Sequence, residues 1–247
     1  MSAPLVGVLH APGTNRDGEA ARAVTLAGGE ARIVHLDESL DPFAALIVPG
    51  GFSYGDALGA GGRLALEIGE ALAAYAATGR VVLGICNGFQ TLAKAGLFSP
   101  PPHPRRITLT HNASNRFECR WVTLAVEPDN PAGLAPCIVA CPVAHGEGRV
   151  VRFETAAVET ARAELPDGIR ALFRYVRPDG TPAAGAHPFN PNGSFADLAG
   201  VCNAAGNVWG LMPHPEDHVV AAQDPFRRPG RSGLVLFEAL VDRARAH

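Results

Sequence analysis

The chain has 247 residues, 47% hydrophobic and 18% charged, with a formal net charge of −3. That length is enough to bury a substantial core, and the balance is that of a globular protein with no basic footprint for nucleic acid. No apolar run approaches the ~18 residues that suggest a membrane span, and the opening MSAPLVGVLHAPG lacks the charged and apolar regions of a secretory signal.

Through the first half, short apolar runs alternate with amphipathic stretches, the pattern of a parallel sheet with crossover helices. Strands are predicted at 5–9, 33–36 and 44–48, and a helix over 19–26 stopped by Gly28 and Gly29. Over 63–78, Leu64, Ile68, Leu72 and Tyr75 fall on one helical face. Residues 81–85 are continuously apolar, as in a strand covered on both sides, and a helix follows over 88–95. The proline-rich stretch 99–105 reads as a loop. Strands at 122–126, 138–140, 150–153 and 169–176 then extend the sheet in mixed or antiparallel fashion without starting a second domain. Residues 178–195, rich in Pro, Gly and Asn, read as a long surface loop. A hairpin is predicted from 201–203 and 208–212 around Ala204-Ala205-Gly206, and Ser232 is placed to cap a last helix burying Leu234, Phe237 and Val241. One domain over 1–247 is expected.

The five cysteines, Cys86, Cys119, Cys137, Cys141 and Cys202, are odd in number and form no CxxC pair. A reducing, cytoplasmic setting is expected, with one thiol a candidate nucleophile and the others apolar fillers. Cys86 stands out because it sits where a buried strand runs into a helix, flanked by Gly84 and Gly88 as in a nucleophile elbow. The sharp turn lifts the side chain into a cleft, and the absent side chains relieve crowding. The helix start places positive partial charge near the sulfur. The Asn87 N–H, without a helical partner there, can receive an oxyanion. The alternative is a structural cysteine whose glycines serve packing alone.

A base is available in GLMPHPEDH, residues 210–218. His214 and Glu216 are two apart, so in a segment held extended by Pro213 and Pro215 they point the same way. The carboxylate then fixes the imidazole tautomer and stabilises the imidazolium. A zinc site from His214, Glu216 and His218 is the rival, but H-x-E-x-H is not a zinc motif, and Pro215 breaks the helix that an i, i+4 pair needs. A proline-rich surface loop is the plain alternative. No metal site is expected.

Taken together these motifs resemble the class I glutamine amidotransferases, and within them the glutaminase subunits of phosphoribosylformylglycinamidine synthase. GICNGFQ and HPE mark the class, while VPGGFSYGD (48–56), PVAHGEGRV (142–150), NPNGS (190–194) and the segment 199–216 point to the purine-pathway branch. The resemblance spans nearly the whole chain. It implies an α/β three-layer sandwich with a mostly parallel central sheet, flavodoxin-like, whose active site lies at the strands' C-terminal ends. It also implies that Cys86 attacks the glutamine carboxamide, with His214 as base and Glu216 orienting it. Backbone N–H groups around Gly51, Phe52 and Asn87 would form the oxyanion hole, and Gln90, His145 and Gly146 would line the substrate pocket. By the same resemblance no cofactor belongs to this chain. ATP and magnesium belong to a synthetase subunit that takes the ammonia, and a third small subunit can join. In this chain Asp217 follows Glu216 where the family usually has arginine, and Gly59 stands where relatives often carry a bulkier or charged residue. The rivals are a stand-alone γ-glutamyl hydrolase of the same fold and a catalytically silent subunit.

Overall fold

The computed structural model describes residues 2–99, 106–152, 165–227 and 231–247. In chain order these form β1 (Leu5–His10), α1 (Asp17–Leu26), β2 (Glu30–His35), β3 (Ala45–Val48), α2 (Gly62–Ala77), β4 (Val81–Ile85) and α3 (Asn87–Lys94). There follow β5 (Ile107–Thr110), β6 (Glu118–Val126), β7 (Ile138–His145), β8 (Arg149–Arg152), β9 (Ile169–Val176), β10 (Leu198–Asn203), β11 (Val208–Leu211) and α4 (Leu234–Ala244).

Among the described residues, one nine-stranded sheet has the order β2-β1-β3-β4-β11-β10-β9-β6-β7. Its neighbours run parallel from β2 to β11, and β10, β9, β6 and β7 continue it antiparallel. The chain steps from β1 outward to β2 but from β3 the other way to β4. Right-handed crossovers therefore put α1 and α2 on opposite faces. α4 packs beside α1 and α3 beside α2, giving three layers. β3, β4 and β11 are buried along their whole length, which is why their sequences are unbroken apolar runs. Leu64, Ile68, Leu72 and Tyr75 are the buried stripe of α2, each full-sized apolar side chain worth roughly 1.5–3 kcal/mol on burial. The Tyr75 hydroxyl is satisfied by donating to the Phe43 carbonyl oxygen at 2.8 Å.

The differences from expectation lie in the second half. β5 and β8 pair with each other outside the main sheet, so the predicted strand at 150–153 does not extend it. The stretch 178–195 is not all surface, because Asn190, Asn192 and Ser194 are buried. Asn190 Oδ1 accepts the N–H groups of Gly193 and Ser194. Side-chain amides here replace the backbone partners that a loop usually finds in water. α4 starts after Gly233 without a side-chain cap, so Ser232 does not play that part. Residues 100–105 and 228–230, and Phe153 at the end of a predicted strand, lie outside the described residues.

Gly88 is the tightest point near the elbow. A Cβ there would lie 1.8 Å from the Val48 carbonyl oxygen, so the first turn of α3 rests directly on the end of β3. Gly88→Ala should therefore destabilise the chain by at least the ~1–3 kcal/mol typical of overpacking. Gly18→Ala, which meets nothing within 4 Å, should stabilise α1 by about 0.5–1 kcal/mol. Urea unfolding of the two variants checks both signs.

Candidate active site

Cys86 has φ 51° and ψ −105° at the junction of β4 and α3, a conformation that costs an L-residue on the order of 1–3 kcal/mol and persists only where its surroundings enforce it. Its N–H donates to the Leu211 carbonyl oxygen at 2.8 Å, continuing the β4–β11 ladder in which Ile85 faces Leu211. Its sulfur lies 3.8 Å from the Ala144 carbonyl oxygen. His214 follows β11 and is anchored by its N–H donating to the Pro142 carbonyl oxygen at 2.8 Å. Its ring lies on Gly50, where a Cβ would come within 2.8 Å of Cε1. Nδ1 of His214 is 2.7 Å from Oε1 of Glu216, both side chains being buried.

The contact forms by a different route from the extended one that Pro213 and Pro215 suggest. Residues 215–217 form a 3-10 turn and not an extended segment, and the turn itself brings the carboxylate back to the ring. Burial alone would lower the His214 pKa. The Glu216 carboxylate, and then the Cys86 sulfur, override burial and hold it well above the ordinary histidine value. The arrangement therefore favours an imidazolium between a carboxylate and the sulfur, the state left when the thiol surrenders its proton.

A cavity of about 230 Å³ opens beside the sulfur, lined by Cys86, Gly51, Phe52, Gln90, His145 and Gly146. Gln90 is buried and not solvent-facing, with Nε2 donating to the Glu147 carbonyl oxygen at 2.6 Å. Asn87 begins α3, where helix geometry leaves its N–H without a partner. Its side chain accepts the Ser53 N–H at 3.2 Å and donates to Gln90 Oε1 at 3.1 Å. The Phe52 N–H is engaged, donating to the Gly13 carbonyl oxygen at 2.9 Å, while Gly50 accepts from the Asn15 N–H at 3.3 Å. Asp56, His111, Phe117 and Glu147 also line the cavity and were not singled out from sequence. Asp56 and Glu147 lay inside motifs already quoted, whereas His111 and Phe117 carry no local signal. Burial, and then Glu147, raise the Asp56 pKa.

The three-ligand set weighed from sequence does not assemble. His218 turns its Nδ1 to the Ala140 carbonyl oxygen, 2.5 Å away, and packs edge-on against Trp121. Ligand atoms of His214, Glu216 and Asp217 do lie within 4.8 Å of one another. Nδ1 and Oε1 of the first two are already bonded to each other, and Asp217 is 3.6 Å from Arg16 Nε. The arginine thus answers the acidic residue at position 217. Burial, then Glu216, raise the Asp217 pKa, with Arg16 opposing.

Residues 3–242 match the CobB/CobQ-like glutamine amidotransferase domain. The chain is 43% identical to the phosphoribosylformylglycinamidine synthase subunit PurQ of Treponema denticola, over 88% of this chain and 89% of that protein. It is 42% identical to the protein of the same name from Methanopyrus kandleri, over 98% of this chain and 99% of that protein. Among solved structures it is similar to a chain of PurLQS from Thermotoga maritima, with a TM-score of 0.75, 34% identity, and coverage of 97% of this chain and 98% of that chain.

The two histidines should separate cleanly on mutation. His214→Ala should cost ~10²–10⁴-fold in glutamate release. His218→Ala should retain most activity while losing about 1–3 kcal/mol of stability. Equal losses of activity, together with bound zinc, would overturn the triad. Glu216→Gln removes the largest raising influence on His214 and leaves the Cys86 sulfur alone to oppose burial, so the histidine pKa should fall, as read from ring-nitrogen NMR. The wild-type stabilisation from charged His214 is complete below the unfolded value of ~6.5 and fades as pH rises through the raised folded value. The stability gap to Glu216→Gln should shrink accordingly toward alkaline pH.

Proposed function

The chain belongs to the CobB/CobQ-like glutamine amidotransferase family, and from that premise we propose that it is the glutaminase subunit of a phosphoribosylformylglycinamidine synthase. The observation that carries the reading is the buried Cys86, His214 and Glu216 arrangement at the C-terminal ends of β4 and β11, facing a cavity of about 230 Å³. That volume is below the roughly 300–1,000 Å³ of pockets for drug-sized ligands and suits one amino acid.

His214 takes the Cys86 proton, and the thiolate attacks the side-chain amide carbon of glutamine. The oxyanion is received by the Asn87 N–H and by the backbone at Gly51 and Phe52. His214 then gives its proton to the leaving nitrogen, the C–N bond breaks, and ammonia departs, leaving a thioester. Water, deprotonated by His214, hydrolyses the thioester to glutamate and returns the thiol. Side chains and backbone carry every one of these steps. The ammonia passes to a synthetase subunit that uses ATP and magnesium to convert formylglycinamide ribonucleotide to formylglycinamidine ribonucleotide. The PurLQS name of the solved relative accords with that partner and a third small subunit. The cytoplasm is the setting that suits a free catalytic thiol, and among the described residues no helix is long and apolar enough to cross a membrane.

The engaged Phe52 N–H bears on control. In this conformation it points to Gly13, so the oxyanion hole lacks one donor, a deficit worth ~10²–10³-fold in rate. A synthetase that binds only the rearranged backbone restores it through that difference in affinity.

Two measurements test the proposal. Cys86→Ala should abolish glutamine-dependent synthesis by the complex but spare synthesis from added ammonium, and a glutamine-like affinity label should modify Cys86 alone. Glutamate release by the isolated chain should rise ~10²–10³-fold when the synthetase and its substrates are added. Full activity in the isolated chain, unmoved by the synthetase, would favour a stand-alone hydrolase.

A further inference from the structure

Side-chain contacts do little to hold Glu216 in place. Its Oε1 meets His214 Nδ1 at 2.7 Å, while Oε2 is buried and accepts no hydrogen bond. A buried carboxylate with one oxygen bare depends for its position on the backbone that carries it, here the turn over residues 215–217. That turn closes on itself. The Asp217 N–H donates to the His214 carbonyl oxygen at 3.2 Å, and the His218 N–H to the Pro215 carbonyl oxygen at 3.1 Å. A second carboxylate follows directly after Glu216. Side-chain atoms of His214, Glu216 and Asp217 lie within 4.8 Å of one another, so the two carboxylates repel at close range in a partly desolvated setting. Unanswered, Asp217 would push Glu216 off the imidazole or draw a proton onto the pair.

Arg16 stands where it opposes both outcomes. It precedes α1, and its Nε is 3.6 Å from Asp217 Oδ2 while its Nη1 is 3.2 Å from Glu19 Oε1. Its stem lies on Gly50 beside the His214 ring: a Cβ at Gly50 would come within 3.4 Å of Arg16 Cγ and 2.8 Å of His214 Cε1. The missing side chain lets the arginine and the histidine share one floor. A half-buried ion pair of this length adds little stability by itself, so its weight lies in the charge it neutralises. We propose that Arg16 is a positioning residue for the glutaminase reaction, which neutralises Asp217 and thereby keeps Glu216 ionised and seated on Nδ1 of His214. The inference rests on the glutaminase reading and deepens it. Neither Arg16 nor Asp217 lines the cavity, so the pair acts on the histidine and not on bound glutamine.

The charges around Asp217 give the proposal a pH signature. Glu216 and His214 face it from its own turn, and Arg16 and Glu19 face it from the start of α1. His214 is faced in addition by Cys86 and His145. Burial and then Glu216 raise the Asp217 pKa, and Arg16 is the foremost group holding it down. Removing the guanidinium therefore raises it further, and the carboxylate pair takes up a proton at higher pH. That proton weakens the partner of His214 on the acid side, and the lost activity returns as pH rises.

The test is glutamate release by the complex with saturating synthetase, followed from about pH 5 to pH 9. Arg16→Gln should lower kcat about tenfold near the acid limb and less at alkaline pH, with the limb moved upward and the KM for glutamine little changed. Asp217→Asn should cost less. Added to Arg16→Gln, it should restore both kcat and the limb toward the Asp217→Asn values, because the charge that Arg16 answers has gone. Reversing the pair, Arg16→Asp with Asp217→Arg, should likewise exceed Arg16→Asp alone. A loss that is equal at every pH and untouched by Asp217→Asn marks a packing role and overturns the inference. So does a loss that disappears on raising the synthetase concentration, which would put Arg16 at the subunit contact. Either result leaves the glutaminase reading intact. If the unmodified complex releases no glutamate, that reading fails first.

Discussion

The hydrogen bond from the Cys86 N–H to the Leu211 carbonyl oxygen carries the β4–β11 ladder one residue beyond β4. Parallel neighbours are held ~4.7–4.9 Å apart, so backbone pairing, not side-chain flexibility, sets how far the sulfur stands from the segment bearing His214. The other walls are referred to the same ladder. β3, beside β4, ends under Gly88 and leads into the Gly50-Gly51 strip. β7 is four strands from β11 in the sheet order, yet it returns to supply Pro142 to the His214 backbone and Ala144 to the sulfur. The antiparallel half of the sheet thus turns back on the parallel half, and the cavity is the space between them.

His214 and His145, both buried near the sulfur, are held in opposite states. His214 faces a carboxylate and is held charged against the pull of burial. His145 faces an amide oxygen and is held neutral by burial with His214 reinforcing it. A charged His214 makes a charged His145 more costly, so each stabilises the other's assignment.

What could be read from the sequence was local. The parallel strands, the stripe of α2 and the elbow at Cys86 each occupy a few adjacent residues with a clear period or turn chemistry. Glu216 was found beside His214 because two residues cannot stray far, even though the turn between them was misread. The contacts that escaped join distant segments. Asn112 meets His145 across 33 positions, and Gln90 meets Glu147 across 57. Gly13 takes the Phe52 N–H through a bridge between two loops. Asn190, Asn192 and Ser194 have the composition of an exposed loop, and only the fold shows that their amides and hydroxyl are spent inside it.

The positive φ of Cys86 sets the requirements of chemistry and backbone against each other at one position. Glycine would sit there without penalty, relieving strain on the order of 1–3 kcal/mol, and only the need for sulfur keeps a side chain in place. In a lineage that no longer draws ammonia from glutamine, the first change to reach this position would gain stability rather than lose it. Decay of the function would therefore run downhill, and a glycine at position 86 in an otherwise intact chain would be a record of when selection for the nucleophile ended.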